Sequence, residues 1–136
     1  MSITRENKIL MISPLPPPDG GIAIWTSRYL NWANNNNLVV ELVNTSVVGK
    51  RANNINSNRS LIDEVRRSIK ILGELMKKLR HYNPSVVHLN TACGRFGIVR
   101  DYLCAKLVTN MGIPLITHYR CNIKDQVNGG YMQKRF

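Results

Sequence analysis

Apolar residues follow two rhythms along this chain. Short, dense runs occur at Lys8 to Ser13 (KILMIS), Leu38 to Asn44 (LVVELVN), Ser85 to Leu89 (SVVHL) and Ile113 to Tyr119 (IPLITHY). Their length and β-branched content predict buried strands. Between them the spacing changes to three or four: Ile22, Trp25, Tyr29, Leu30 and Ala33; then Leu61, Val65, Ile69, Leu72, Met76 and Leu79; then Ile98, Tyr102, Ala105, Leu107 and Val108 within Arg95 to Met111. Each set predicts an amphipathic helix. The second helix is the longest, and its apolar stripe is expected to face the sheet, with Arg66, Arg67, Lys70, Lys77 and Lys78 on the other side.

The punctuation agrees with these boundaries. Pro14 and Pro16 to Pro18 stop the first run, and Asp19-Gly20-Gly21 reads as a turn into the first helix. The Asn34 to Asn37 run ends that helix. Ser60, with Glu64 beyond it, is the expected N-cap of the second helix, and Asn83-Pro84 closes it. Gly112 is the expected C-cap of the third helix, and Pro114 enters the last strand where a missing N–H is tolerated. Thr45 to Asn58 has no core-forming period and reads as a long exposed loop. From Cys121 onward the pattern is polar and forms no further strand.

Strands that alternate with helices predict an α/β fold: a Rossmann-like open parallel sheet with right-handed crossovers and helices on both faces. The 136 residues suit one such domain and are too few for two of ordinary size. No apolar stretch approaches the roughly 18 residues of a membrane span, and Met1 to Lys8 is too polar for a signal-peptide core. A cytoplasmic chain is the expectation. Cys93, Cys104 and Cys121 match no zinc or redox spacing and read as reduced thiols.

Charge changes the picture. The net charge is +11, and nine Lys/Arg between Lys50 and Arg80 face only Asp63, Glu64 and Glu74. A phosphorylated substrate, an anionic membrane or a nucleic acid would suit that surface, as would solvent alone.

In an open parallel sheet, ligands bind beyond the carboxyl ends of the strands. Those ends are the Pro14 to Gly21 loop, the Asn90 to Gly94 loop and the His118 to Asn122 segment. Gly20 and Gly21 let a ligand approach the backbone at a helix N-terminus, where free N–H groups favour an anion. They are not part of a dinucleotide G-x-G-x-x-G or of a P-loop. His118, near a strand end, can donate a hydrogen bond or act as a general acid or base. Arg95 and Arg120 flank the same crevice and suit phosphate or carboxylate. His88, between Val87 and Leu89, is expected to be a satisfied core residue.

With these residues in view, KILMISPLPPPDGGIAIWTSRYLNWA resembles the opening of the family 4 retaining glycosyltransferases of GT-B architecture. SVVHLNTACGRFGIVRDYLCAKLVTNMGIPLITHYRCNI is similar to that family's next landmark, a strand ending in His-Leu-Asn, a helix, then Gly-x-Pro and a strand ending in His. The resemblance spans nearly the whole chain. It implies the amino-terminal, acceptor-side domain of a hexosyltransferase that acts in cell-surface polysaccharide synthesis. In that role Gly20 and Gly21 would meet the diphosphate of a nucleotide-sugar donor and His118 would lie at the transferred sugar. The acceptor, a glycan, a lipid-linked molecule or a small molecule, would fall near Asn90, Thr91, Arg95 and Arg120. The nucleotide sugar is a co-substrate, and neither a metal nor another cofactor is implied.

The family's Arg/Lys pair and Glu-x7-Glu region, which hold the donor, are not found in these residues, so the chain is expected to be a truncated piece with little or no transfer activity alone. Members of the family often act at membranes, and the basic face from Arg66 to Lys78 suits the inner surface of an anionic bilayer. The alternative reading is a non-catalytic basic module that binds anionic membrane or nucleic acid. No motif for reading nucleic acid is present, so no specific nucleic-acid partner is expected.

Overall fold

The computed structural model describes residues 8–17, 19–47, 61–91 and 95–120, without the side chains of Arg95 and Phe96. The element order is β1 (Lys8–Ser13), α1 (Gly21–Asn35), β2 (Val39–Asn44), α2 (Leu61–Tyr82), β3 (Val86–Thr91), α3 (Arg95–Asn110) and β4 (Leu115–Tyr119). The strands form one parallel sheet in the order β2-β1-β3-β4. The predicted Rossmann-like α/β fold is therefore present. Right-handed crossovers put α1, which connects β1 to its neighbour on one side, on one face, and α2 and α3 on the other.

Helix ends follow local chemistry. Asn37 takes a left-handed φ of 57° just past α1, and Leu38 N–H donates to the Ala33 carbonyl, which closes the helix as asparagine commonly does. Gly112, at φ 68°, ends α3 in the same way, and a side chain there would be strained. Ser60, the expected cap of α2, lies outside the described residues, as do most of the Thr45 to Asn58 loop and the chain from Cys121.

The aliphatic core lies between the sheet and α2 and α3. Leu10, Ile12, Val43, Val87 and Leu89 from the strands meet Ile71, Leu75 and Leu79 from α2 and Cys104 and Val108 from α3. This corrects the expected face of α2. Leu79 is buried and Leu72 packs against the core, as expected, but Leu61, Val65 and Ile69 are 57–64% exposed, and the buried stripe is Ile71, Leu75 and Leu79. Length is part of the reason. A 22-residue helix extends about 33 Å, whereas six-residue strands cover about 20 Å, so the first turns of α2 overhang the carboxyl ends of the strands. The other part is polar anchoring. Lys78 pairs with Glu41 at 3.0 Å and donates to the Leu42 carbonyl, Arg67 donates to the Thr45 carbonyl, and Tyr82 donates to the Val39 carbonyl. Those contacts turn α2 so that Arg67 and Lys78 leave the predicted basic face, while Arg66, Lys70 and Lys77 stay exposed.

Candidate functional site

The sheet reverses its winding between β1 and β3, with α1 after β1 on one face and α3 after β3 on the other. On the α2/α3 side the strand residues are aliphatic. On the α1 side apolar residues mix with polar ones, and the polar ones gather toward the carboxyl ends of β1, β3 and β4, a contrast that follows from the two-residue period of a strand. Met11 and Ser13 of β1, His88 and Asn90 of β3, and Ile116 and His118 of β4 share this face, with His88 in register with Met11 and Asn90 in register with His118.

Three hydroxyl and amide groups join β1, β3 and α1 at the reversal. Ser13 Oγ lies 2.6 Å from Thr26 Oγ1, Thr26 Oγ1 donates to the Ile22 carbonyl, and Asn90 Nδ2 donates to Ser13 Oγ at 3.1 Å. Asn90 Oδ1 is buried without a partner. At the end of β2, Asn44 Oδ1 accepts from the N–H groups of Leu15 and Ser46, which ties the proline loop to the sheet. Neither Ser13, Thr26 nor Asn44 is conspicuous in the sequence, because small polar residues at strand ends are ordinary.

Beside this network α1 lays an aromatic row on the strands. Trp25 stacks on Tyr29 with ring centroids 5.3 Å apart and meets His88 and His118 edge-on at 5.9 and 5.8 Å. The two imidazoles lie nearly parallel, 5.8 Å apart. The Arg120 guanidinium sits over the Trp25 ring, 4.2 Å from its centroid, and its backbone N–H donates to the Thr91 carbonyl. Arg120 Nε and Nη2 and His88 Nε2 are buried with no hydrogen-bond partner.

His88 therefore departs from the satisfied core residue that its apolar neighbours suggest. It is half-buried, and its pKa is pushed below the usual histidine range by burial first, then by His118 and Arg120. The cause is the face it occupies: Val87 and Leu89 point to the aliphatic core, and His88 points the other way. A signal was present in the sequence. His88-x-Asn90 and His118-x-Arg120 end two successive strands, and the strand period puts all four residues on one face.

The other predicted residues divide. Gly20 is the N-cap of α1 with an extended backbone, Gly21 is its first residue, both are exposed, and a Cβ on either would meet nothing within 4 Å. Open space of that kind leaves room for a ligand at the helix N-terminus. Asn90 and Thr91 belong to β3 and not to a loop. Asn90 joins the site, whereas Thr91 turns to the opposite face and is fully buried, so only its carbonyl reaches the site, through Arg120. Arg95 opens α3, and its side chain lies outside the described part. The Gly94 end of the expected loop does too.

An open groove of about 530 Å³ lies between the end of α1 and β2, lined by Leu30, Ala33, Asn37, Leu38 and Val40. It is at the opposite end of the sheet from the polar cluster. Among the described residues, no three His, Cys, Asp or Glu side chains gather as a metal ion would require, and no helix is long and apolar enough to cross a membrane. No protein-family model, no curated protein and no solved structure matches this chain.

Proposed function

We propose that this chain is the acceptor-side domain of a retaining, nucleotide-sugar-dependent glycosyltransferase of GT-B type. The observation that carries this reading is the meeting of His118 with the α1 side of the strand-order reversal, where Gly20 and Gly21 open the same helix that brings Trp25 to His118. A sugar held at the strand ends would have an imidazole for its hydroxyl groups, an aromatic ring for its apolar face and a helix N-terminus for the donor's diphosphate. His118 supplies the contact at the transferred sugar, Asn90 and Arg120 line the acceptor side, and the donor nucleotide is held by a second domain.

The test is calorimetric titration of the chain with a panel of nucleotide sugars, alone and mixed with a donor-binding domain from a GT-B enzyme, together with an assay for sugar release or transfer. Turnover only in the mixture, lost in His118→Ala, is the expected result. Absence of both binding and turnover under every condition overturns the reading.

A second reading draws on α2. Leu61, Ile62, Val65 and Ile69 are exposed beside Arg66 and Lys70, a combination suited to the surface of an anionic bilayer. In this reading the chain is a non-catalytic module, and it co-sediments with phosphatidylglycerol vesicles but not with phosphatidylcholine vesicles. A Val65→Asp/Ile69→Asp variant that co-sediments as before would exclude it.

A further inference from the structure

We propose that Arg120, held against Trp25 beside His88 and His118, is the anchor of a phosphate-binding site whose occupancy draws a proton onto His88. This goes beyond the transferase reading and does not require it, since the site binds its ligand whether or not transfer occurs.

Four observations meet here. The guanidinium rests on the Trp25 ring at 4.2 Å, and the main chain that carries it is tied to β3 by the bond from Arg120 N to the Thr91 carbonyl. A fixed fork loses little freedom when it binds an anion. Its Nε and Nη2 have no acceptor although both are buried, and an adjacent His88 nitrogen and the Asn90 carbonyl oxygen are also unpaired. Unpaired buried donors are costly, and an oxyanion that accepts from them relieves that cost. The groups that face His88 are Trp25 and Tyr29 from α1, His118 from β4, Arg120 beyond β4, Asn90 on its own strand and Met11 on β1. The charges that act on His88, from His118 and Arg120, are of cationic type. Burial first, and then these charges, make His88 harder to protonate. A dianion beside Arg120 reverses that field, so binding and proton uptake favour each other.

A phosphate group fits better than a carboxylate, because its third oxygen leaves one for the imidazole when two engage the guanidinium fork. It could belong to a nucleoside diphosphate or to a phosphorylated small molecule. The chemistry of the site is the same for both.

The chain has two tryptophans, and Trp32 is 53% exposed, so Trp32→Phe makes Trp25 the sole reporter at little cost. In that background, Trp25 fluorescence is titrated with inorganic phosphate at constant ionic strength, with chloride as control. A saturable change is expected, weakened at least tenfold in Arg120→Gln and less in Arg120→Lys, which keeps the charge and loses the fork. Circular dichroism checks that each variant is folded, and Arg120→Lys serves alone if Arg120→Gln does not fold.

Sulfate, whose charge is constant over the range, tests the proton. Its affinity should rise as pH falls through the region below about 6.5, and His88→Gln should flatten the rise. Uridine diphosphate and glycerol 3-phosphate then distinguish the source, and whichever binds more tightly identifies a nucleotide or a simple phosphate ester as the ligand. A phosphate response equal to that of chloride, or one unchanged in both Arg120 variants, overturns the anion site. A sulfate affinity independent of pH overturns its proton linkage.

Discussion

Leu75→Ala and Ile69→Ala test which face of α2 the sheet holds. Both residues lie on one helix and both are large and aliphatic, yet Leu75 is fully buried and Ile69 is 64% exposed. Truncating Leu75 removes three buried carbons at about 0.8 kcal/mol each, and the cavity left among Val43, Val87 and Cys104 raises the loss to about 3–4 kcal/mol. At about 3–5 °C per kcal/mol for a chain of this size, Tm falls by about 10–20 °C. Ile69→Ala loses well under 1 kcal/mol of burial and gains a few tenths from the better helix propensity of alanine, so it should change stability by less than about 0.5 kcal/mol. Urea unfolding followed by far-ultraviolet circular dichroism measures both. If Ile69→Ala costs as much as Leu75→Ala, the assigned face is wrong and the stripe Leu61, Val65, Ile69 is the one that packs.

Asp101 and Arg100 form a buried pair at 2.7 Å, so Asp101→Ala should cost about 3–5 kcal/mol by leaving the guanidinium without its partner, measured by the same unfolding curve. The Cys104 thiol is pushed up to about 12, by burial first and then by Asp101; in a Cys93→Ser/Cys121→Ser variant it should resist a thiol reagent until the chain unfolds, and prompt native labelling would contradict its burial. Gly21→Ala should leave stability unchanged or raise it by up to about 1 kcal/mol, because a Cβ there meets nothing. Loss of stability would mean that the glycine has a structural role. Because the folded pKa of His88 is lowered, the unfolded chain binds more protons, so in phosphate-free buffer stability should fall as pH drops through and below about 6.5. His88→Gln should flatten that limb.

The elements were legible because each rests on local signals that agree. The KILMIS run followed by prolines, the Asn34 to Asn37 stop and the Gly112 cap predict boundaries that the backbone keeps within two residues. The facing of α2 was not legible. Its apolar residues cover two adjacent stripes, one through Leu61, Val65 and Ile69 and one through Ile71, Leu75 and Leu79, and periodicity alone does not choose between them. What chooses is tertiary: Arg67, Lys78 and Tyr82 reach carbonyls of β2 and its end, more than twenty residues away. A charged residue read as part of a solvated face turns out to set the rotation of the helix.

The site was half legible for a related reason. Position along a strand is readable, so His118 and Asn90 stood out as strand-end residues. Facing is readable only when two strands are compared, and His88 was passed over because its sequence neighbours are apolar. In a strand covered on both sides those neighbours describe the opposite face. The aliphatic residues on the α2/α3 side provide most of the core, which leaves the α1 side able to carry the less stable arrangement of two imidazoles, a guanidinium and an unpaired amide oxygen. Such a cluster works against stability on its own, and the proposed anion would lower its cost. If the proposed anion site is there, phosphate should raise the Tm of the wild-type chain and have little effect on Arg120→Gln.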